Sequence, residues 1–558
     1  MSARPTTFVV GAAFLIIGVA PLAAALLFSF APLDGSTVGS GSLDGYRTVF
    51  AGGRLAELAQ VIARAAAATA IAVSLAIPTA FHLRQIRNPS IQLALLSLLL
   101  APWLVSDMLR AFGWQLALSP AGPVSTAWAA LSGGRPLEGL RYNHFAALAG
   151  LVSATLPTAV LGTFAALPRP DSSEWQAARE IGSPRHVFAL LALGRARPGI
   201  AFGTCMTFLL CLFASAEPQF LDGPTQTSML TIASSLSNVG VSALMAFGMT
   251  MLLLAACACF GFFLLWRAHR TPRGSVRTPG AESRGPIRRS RSSVIGAALL
   301  DVAAKRLPVV FTAIALLLCL CPLVAVSVEA FRQPTMAGSV WTLDNFQLLL
   351  ESPDLTGALG RSAVLAIVVA ALTVASGFVL SLTVWEPRRA GALLLTMLGL
   401  VLLPGEVYAL GLLQVAKALG WEEGAPFLVA IAHLIWILPF STGSLMLANS
   451  AIGRSVIEAA LELGRTPSAV AREVVGRINR GAIAGSAMLA LTLSLNENVR
   501  ASYLGGSLPS LANAVYGRLQ TGLLPENRGI FAVEFLLVVG AMLSALLMLK
   551  TLSTASRR

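Results

Sequence analysis

Lysine is nearly absent from this 558-residue chain, whose whole complement is Lys305, Lys417 and Lys550. None of them follows a glycine, so the phosphate-cradling loop Gly-x-x-x-x-Gly-Lys-Ser/Thr cannot be assembled here. Charged residues make up only 12% of the chain, too few to coat a soluble protein of this length. No His-Glu-x-x-His run occurs, and no Gly-x-Ser-x-Gly elbow sits in a strand setting, which removes the zinc-peptidase and α/β-hydrolase readings. Cysteine is also sparse. Cys205, Cys211, Cys257, Cys259, Cys319 and Cys321 all fall in apolar stretches. Thiols two apart on a helix point to different faces, so they read as small core residues and no metal ligand is assigned.

Apolar residues are what the chain has in abundance, at 56% with a mean hydropathy of +0.75. A hydrocarbon core of about 30 Å needs roughly 20 apolar residues per helix. Twelve segments approach that length: 8–30, 61–81, 91–105, 145–167, 199–214 and 242–266, then 308–331, 362–384, 391–412, 427–447, 482–495 and 529–549. The expected fold is therefore all-α and polytopic, with about twelve transmembrane helices in two pseudo-symmetric six-helix bundles. The first segment follows only "MSARPTT" without a small-residue cleavage site, and reads as a retained helix. Arginines collect on the segments that lie inside when both termini are cytoplasmic, which sets that orientation.

Between the two sets of six, residues 267–307 hold nine arginines and Lys305 against Glu282 and Asp301, interleaved with Pro, Gly and Ser. Such a stretch cannot form a core and reads as a basic cytoplasmic tether beside an anionic leaflet, not as a nucleic-acid site. The expected division is residues 1–266, the linker 267–307, and residues 308–558.

An internal repeat links the two parts. "QAAREIGSPRHVFALLALGRARPGI" begins at Gln176 and "EAALELGRTPSAVAREVVGRINRGAI" at Glu458. One constant interval relates Ala177 to Ala459, Ala178 to Ala460, Gly182 to Gly464, Gly194 to Gly476 and Gly199 to Gly481. Each copy lies between the fourth and fifth apolar segment of its set, on the expected cytoplasmic side. Paired alanines let another surface approach a helix closely. The glycine that follows can end that helix in a left-handed conformation. Repeats of this kind imply two equivalent bundles with a path between them.

The Glu458-Ala459-Ala460 and Gly464 pattern resembles the "EAA" loop of the permease subunits of type I ABC importers. Gln176-Ala177-Ala178 with Gly182 matches it except at its first residue. Both copies carry Gly-Arg where that family continues with Leu-Pro. The stretches after the third and fifth segments of the first set, and "LTLSLNENVRASYLGGSLPSLANAVYGRLQTGLLPENRGI" in the second, are similar to the two permeases of polyamine-type uptake systems. The wider family also serves opines, aminoalkylphosphonates, thiamine and ferric iron. The resemblance implies a fused two-half permease of the bacterial inner membrane, with ATP and magnesium held by a separate cytosolic ATPase homodimer that receives both loops. It also implies a periplasmic or lipid-anchored solute-binding protein, lipid contact, and no catalysis or cofactor in this chain.

Polar groups within membrane segments are costly and mark a path for solute. The candidates are Asp107, Glu217, Glu406, Tyr408, His433, Asn496, Glu497 and Asn498. Polyamine permeases tend to place two acids where this chain has Glu497 alone between two asparagines, a departure from the polyamine pattern. The resemblance as a whole makes a polyamine-like amine or a related small molecule the expected solute. A twelve-helix secondary transporter driven by an ion gradient shares the layout of six spans, a basic loop and six spans. It would give the matched loops no purpose.

Overall fold

The computed structural model describes residues 4–33, 41–134, 139–167, 185–214, 216–223, 228–268, 291–335, 338–401, 404–450, 452–506, 509–521 and 525–555. The chain begins with α1 (Arg4–Ser29), a short α2 (Asp44–Phe50) and the long α3 (Arg54–Gln85). Asn88 then caps α4 (Pro89–Leu100), its Oδ1 accepting the Ser90 N–H at 3.0 Å. A 3₁₀ turn over Ala101–Leu104 leads into α5 (Asp107–Ala117) and α6 (Pro123–Ser132). Next come α7 (His144–Ala166), α8 (Arg185–Phe213), α9 (Ala216–Leu221), α10 (Met229–Ser237) and α11 (Val241–Ala268).

The second series repeats this order. It has α12 (Arg291–Glu329), an antiparallel hairpin of β1 (Arg332–Thr335) and β2 (Gly338–Trp341), then α13 (Asp344–Glu351) and α14 (Pro353–Ser381). The broken pair α15 (Pro387–Val401) and α16 (Gly405–Ala418) precedes α17 (Pro426–Ser450) and the short α18 (Arg454–Glu462). After α19 (Pro467–Ile478) come α20 (Arg480–Leu495), α21 (Val499–Leu504), α22 (Leu511–Thr521) and α23 (Gly529–Ala555). The protein is an all-α, multi-pass membrane protein.

Among the described residues, eight helices are long and apolar enough to cross a membrane, and ten if each of two sharply bent pairs counts as one span. The expected twelve are therefore not twelve plain helices. The segment expected at 91–105 turns through 99° between α4 and α5. Pro102, which offers no N–H to the ladder, sits in the turn, and Ser106 caps the new helix. The segment expected at 482–495 begins after an 80° bend between α19 and α20. The ninth breaks before Pro404, which caps α16.

Small residues bring the helices of each series together. Ala65, Ala68, Ala72, Ala76 and Ala80 form a buried stripe along α3, which packs on α7 and α8. In the second series α14 packs likewise on α17 and α20. The first helix of each series crosses to the other: α1 packs on α16, and α12 on α5. Both crossings use one device. A Cβ on Gly411 would lie 2.0 Å from the Pro21 carbonyl oxygen, and one on Gly113 would lie 2.3 Å from that of Pro322. Only glycine admits a proline-kinked helix that close.

Candidate solute path and docking segment

The second copy of the repeat forms a projecting helix. Glu458 and Ala459 on α18 are exposed and Ala460 is half-buried, while Ile457 on the other face packs with Ile452, Val470 and Val475. Gly464 stops the helix at φ +80°. The Gly464 N–H reaches the Leu461 carbonyl at 3.0 Å and the Arg465 N–H reaches that of Ala460 at 3.3 Å, which together make a Schellman cap. Leu463 beside it is 84% exposed, an apolar tip that none of the described residues covers. Arg454 pairs with Glu458 at 2.8 Å one turn away. Below the tip a buried amide relay runs from Asn479 to Asn449 Oδ1 and from Asn449 to Ser381 Oγ, both at 2.8 Å. It joins the start of α20 to α17 and α14. Gln176, Ala177, Ala178 and Gly182, the first copy, lie outside the described residues.

Arg110 organises the buried charge of the first series. Its Nη1 donates to the carbonyls of Pro102 and Val105, both at 2.7 Å, which holds the bend in the third span. Its Nη2 reaches Asp107 and, at 3.0 Å, Glu217 of α9. Asp107 is half-exposed, whereas Glu217 is fully buried. Gln115 Nε2 donates to the Phe220 carbonyl at 2.6 Å, so α9 is tied to α5 a second time. From α9, Gln219 Nε2 donates to the Tyr516 hydroxyl of α22 at 2.8 Å, and the Phe220 and Tyr516 rings meet edge to face at 5.9 Å. This contact bridges the two series. Nearby, buried Asp222 pairs with Arg64 and His144.

In the second series Glu497 Oε1 accepts from the Arg500 N–H at 2.8 Å and from its Nη1 at 3.1 Å. The Arg500 guanidinium lies over the Trp436 ring, 4.6 Å from its centroid. His433 Nδ1 is 2.9 Å from Ser494 Oγ, and its Nε2 has no hydrogen-bond partner among the described residues. Asn496 Nδ2 donates to the Thr492 carbonyl, while Asn498 Oδ1 is without a hydrogen-bond partner among the described residues. Glu406, at the start of α16, lines a cavity with Met229, Ala233, Phe247, Met251 and Leu410. That cavity lies between α10 and α11 of the first series and α16 of the second. Tyr408 is turned elsewhere: its hydroxyl donates to the Ile17 carbonyl of α1 at 3.1 Å. Pro21, four residues on, has no N–H to give that carbonyl.

Glu497, His433 and Glu406 therefore share one electrostatic neighbourhood around Arg500, while Asp107 and Glu217 share another around Arg110. Asn496 and Asn498 flank Glu497 in sequence, and Tyr408 seals α1 against α16. Sequence reasoning missed Arg500, Gln219 and Tyr516. A Glu-to-Arg spacing of three within an apolar stretch could have flagged Arg500, but nothing in the chain pairs Gln219 with a tyrosine almost three hundred residues away. No group of three or more metal-ligating side chains occurs among the described residues.

No family model matches the chain. It is 24% identical over 195 residues to the spermidine/putrescine transport system permease protein PotC of Haemophilus influenzae, an overlap of 34% of this chain and 76% of that protein. The Escherichia coli protein of the same name is 24% identical over 222 residues, 39% of this chain and 83% of the relative. The inner membrane ABC transporter permease protein YdcU of Escherichia coli is 28% identical over 180 residues, 30% of this chain and 56% of the relative. This chain is similar to ABC transporter permeases. These relatives are permease subunits of transport systems.

Proposed function

We propose that this chain is the membrane-spanning permease of an ATP-driven importer of the inner membrane, with two permease halves fused through the basic linker and both termini cytoplasmic. The observation that carries the reading is α18, an exposed helix bearing Glu458, Ala459 and Ala460, stopped at Gly464 and tipped by bare Leu463. An apolar tip on a charged, projecting helix suits a groove in a partner, and the amide relay through Asn479 and Asn449 gives its movement a rigid path into α14, α17 and α20. The partners are a cytosolic ATPase dimer carrying ATP and magnesium, and a separate binding protein that delivers solute.

The solute is a small organic cation, a polyamine-like amine. Each charge cluster holds one more carboxylate than arginine: Asp107 and Glu217 with Arg110, and Glu406 and Glu497 with Arg500. A passing ammonium group meets a net negative site in each, with Trp436 and the apolar lining of the Glu406 cavity to cover its carbon frame. The names of the permease relatives support the same class.

The test is purification of the detergent-solubilised chain with identification of what accompanies it, followed by reconstitution. An ATPase and a binding protein in the preparation, with ATP-dependent uptake of labelled spermidine or putrescine, is the expected result. Uptake driven by an ion gradient without ATP would replace the importer with a secondary transporter.

A further inference from the structure

The last long helix carries a carboxyl that the reading above does not use. Glu534 of α23 is 4% exposed, and its Oε2 has no hydrogen-bond partner among the described residues. No ion pair reaches it among the described residues. Its surroundings follow from the residues on either side. Phe531, three positions earlier, stacks on Phe112 of α5 with ring centroids 5.8 Å apart, and Val538, four positions later, is buried in the same core. Residues three and four apart share a helix face. The helix as a whole packs on α4 and on the turn at Ala101–Leu104. Glu534 thus sits on the face that α23 presents to the broken third span of the other series.

The opposite seam also carries an acid, on the other wall and in the neighbourhood of Arg500. There α11 meets α16, α16 contributes Glu406, and the wall from α10 and α11 is apolar. Each seam between the two series therefore holds one carboxyl without an ion pair among the described residues. A carboxyl buried at membrane depth with no cation beside it is expensive, and a core position of that kind would be filled more cheaply by leucine. Its retention points to a partner that arrives only when the seam opens.

We propose that Glu534 is a second solute-contacting acid, which takes an ammonium group of the solute as α23 parts from α4 and α5, while Glu406 serves the other seam. The inference rests on the importer reading. Transport then engages both seams, and the charge preference of the path is set by two acids on different helices.

The test uses the whole chain reconstituted with its ATPase and binding protein, and labelled spermidine and putrescine as probes. Removing one charge contact from the path of E534Q lowers the initial uptake rate about tenfold while ATPase activity stimulated by the loaded binding protein stays within about twofold. E534D, which keeps the charge, retains most of the uptake. A merely structural role would lower both activities together. Modification of wild-type Glu534 by dicyclohexylcarbodiimide, read by peptide mass, falls when spermidine is transported, which checks the contact without any variant. Uptake by E534Q at the wild-type rate, or labelling indifferent to spermidine, overturns the inference alone. Absence of uptake of either amine by the wild-type complex overturns the importer reading, and the inference falls with it.

Discussion

The two buried charge clusters solve one electrostatic problem with different parts of the chain. In the first series the arginine comes from the broken third span and reaches across 107 positions of sequence to Glu217. In the second it stands three residues from its acid, on the same short turn. Arg110 is thereby a structural rivet, since it also satisfies two carbonyls at the bend of the third span. Arg500 is bound locally, which leaves Glu406 and His433 on neighbouring helices without a bond to it. Where a charge is tied to its own turn, the surrounding acids stay available. Where it is shared between elements, it holds the bundle.

Substitutions can break that contrast in order of size. Arg110→Ala strands Glu217 in a dry site, a loss of about 3–5 kcal/mol. It should appear as a large fall in thermal unfolding temperature in detergent and in membrane yield. Arg500→Ala should cost less, about 1–3 kcal/mol, because the amide of residue 500 still donates to Glu497. Its mark is lost amine uptake with the folded protein recovered in good yield. If the two variants unfold alike, the division into rivet and local pair is wrong.

Smaller effects sharpen the comparison of α18 with the contact between the two series. Gly464→Val forces a β-branched residue into a left-handed position, for about 1–2 kcal/mol of local strain at an exposed site. Uptake should fail while insertion and overall stability stay near normal, and unchanged uptake would remove α18 from the coupling route. Tyr516→Phe removes the hydrogen bond from Gln219 but keeps the ring, a change of about 0.5–1.5 kcal/mol. If that contact holds the two series together, basal ATPase activity without binding protein should rise. Equal basal activity would leave the contact as plain packing.

Much of the architecture was legible because bilayer thickness and hydropathy leave few choices, and because the alanine and glycine spacing around Gly464 dictates a stopped, exposed helix. The breaks in the third, ninth and eleventh spans were less so. Pro102 and Pro404 mark two of them, yet prolines at Pro21, Pro157 and Pro439 sit inside continuous helices, so the residue alone does not decide. The candidate polar residues were visible in apolar segments, but which of them share an arginine depends on crossings between helices far apart in sequence. Tyr408 shows why. It stood out as a polar side chain at membrane depth, and only the approach of α1 with Pro21 explains the bond it makes to Ile17. Glu534 was passed over because an isolated acid in an otherwise unbroken apolar run carries no pattern.

The exchange of first helices has a consequence for how such a protein is built. With Pro21 seated against Gly411 and Pro322 against Gly113, each series supplies a finger that fits a notch in the other. Either one made by itself would display an empty notch and an unhoused finger. Joining both on one polypeptide fixes their stoichiometry at synthesis and spares the cell the search for a matching subunit. A chain cut within residues 269–290 should therefore reassemble from its two pieces, held by the two fingers together with the contacts of α9 with α22 and of α23 with α4.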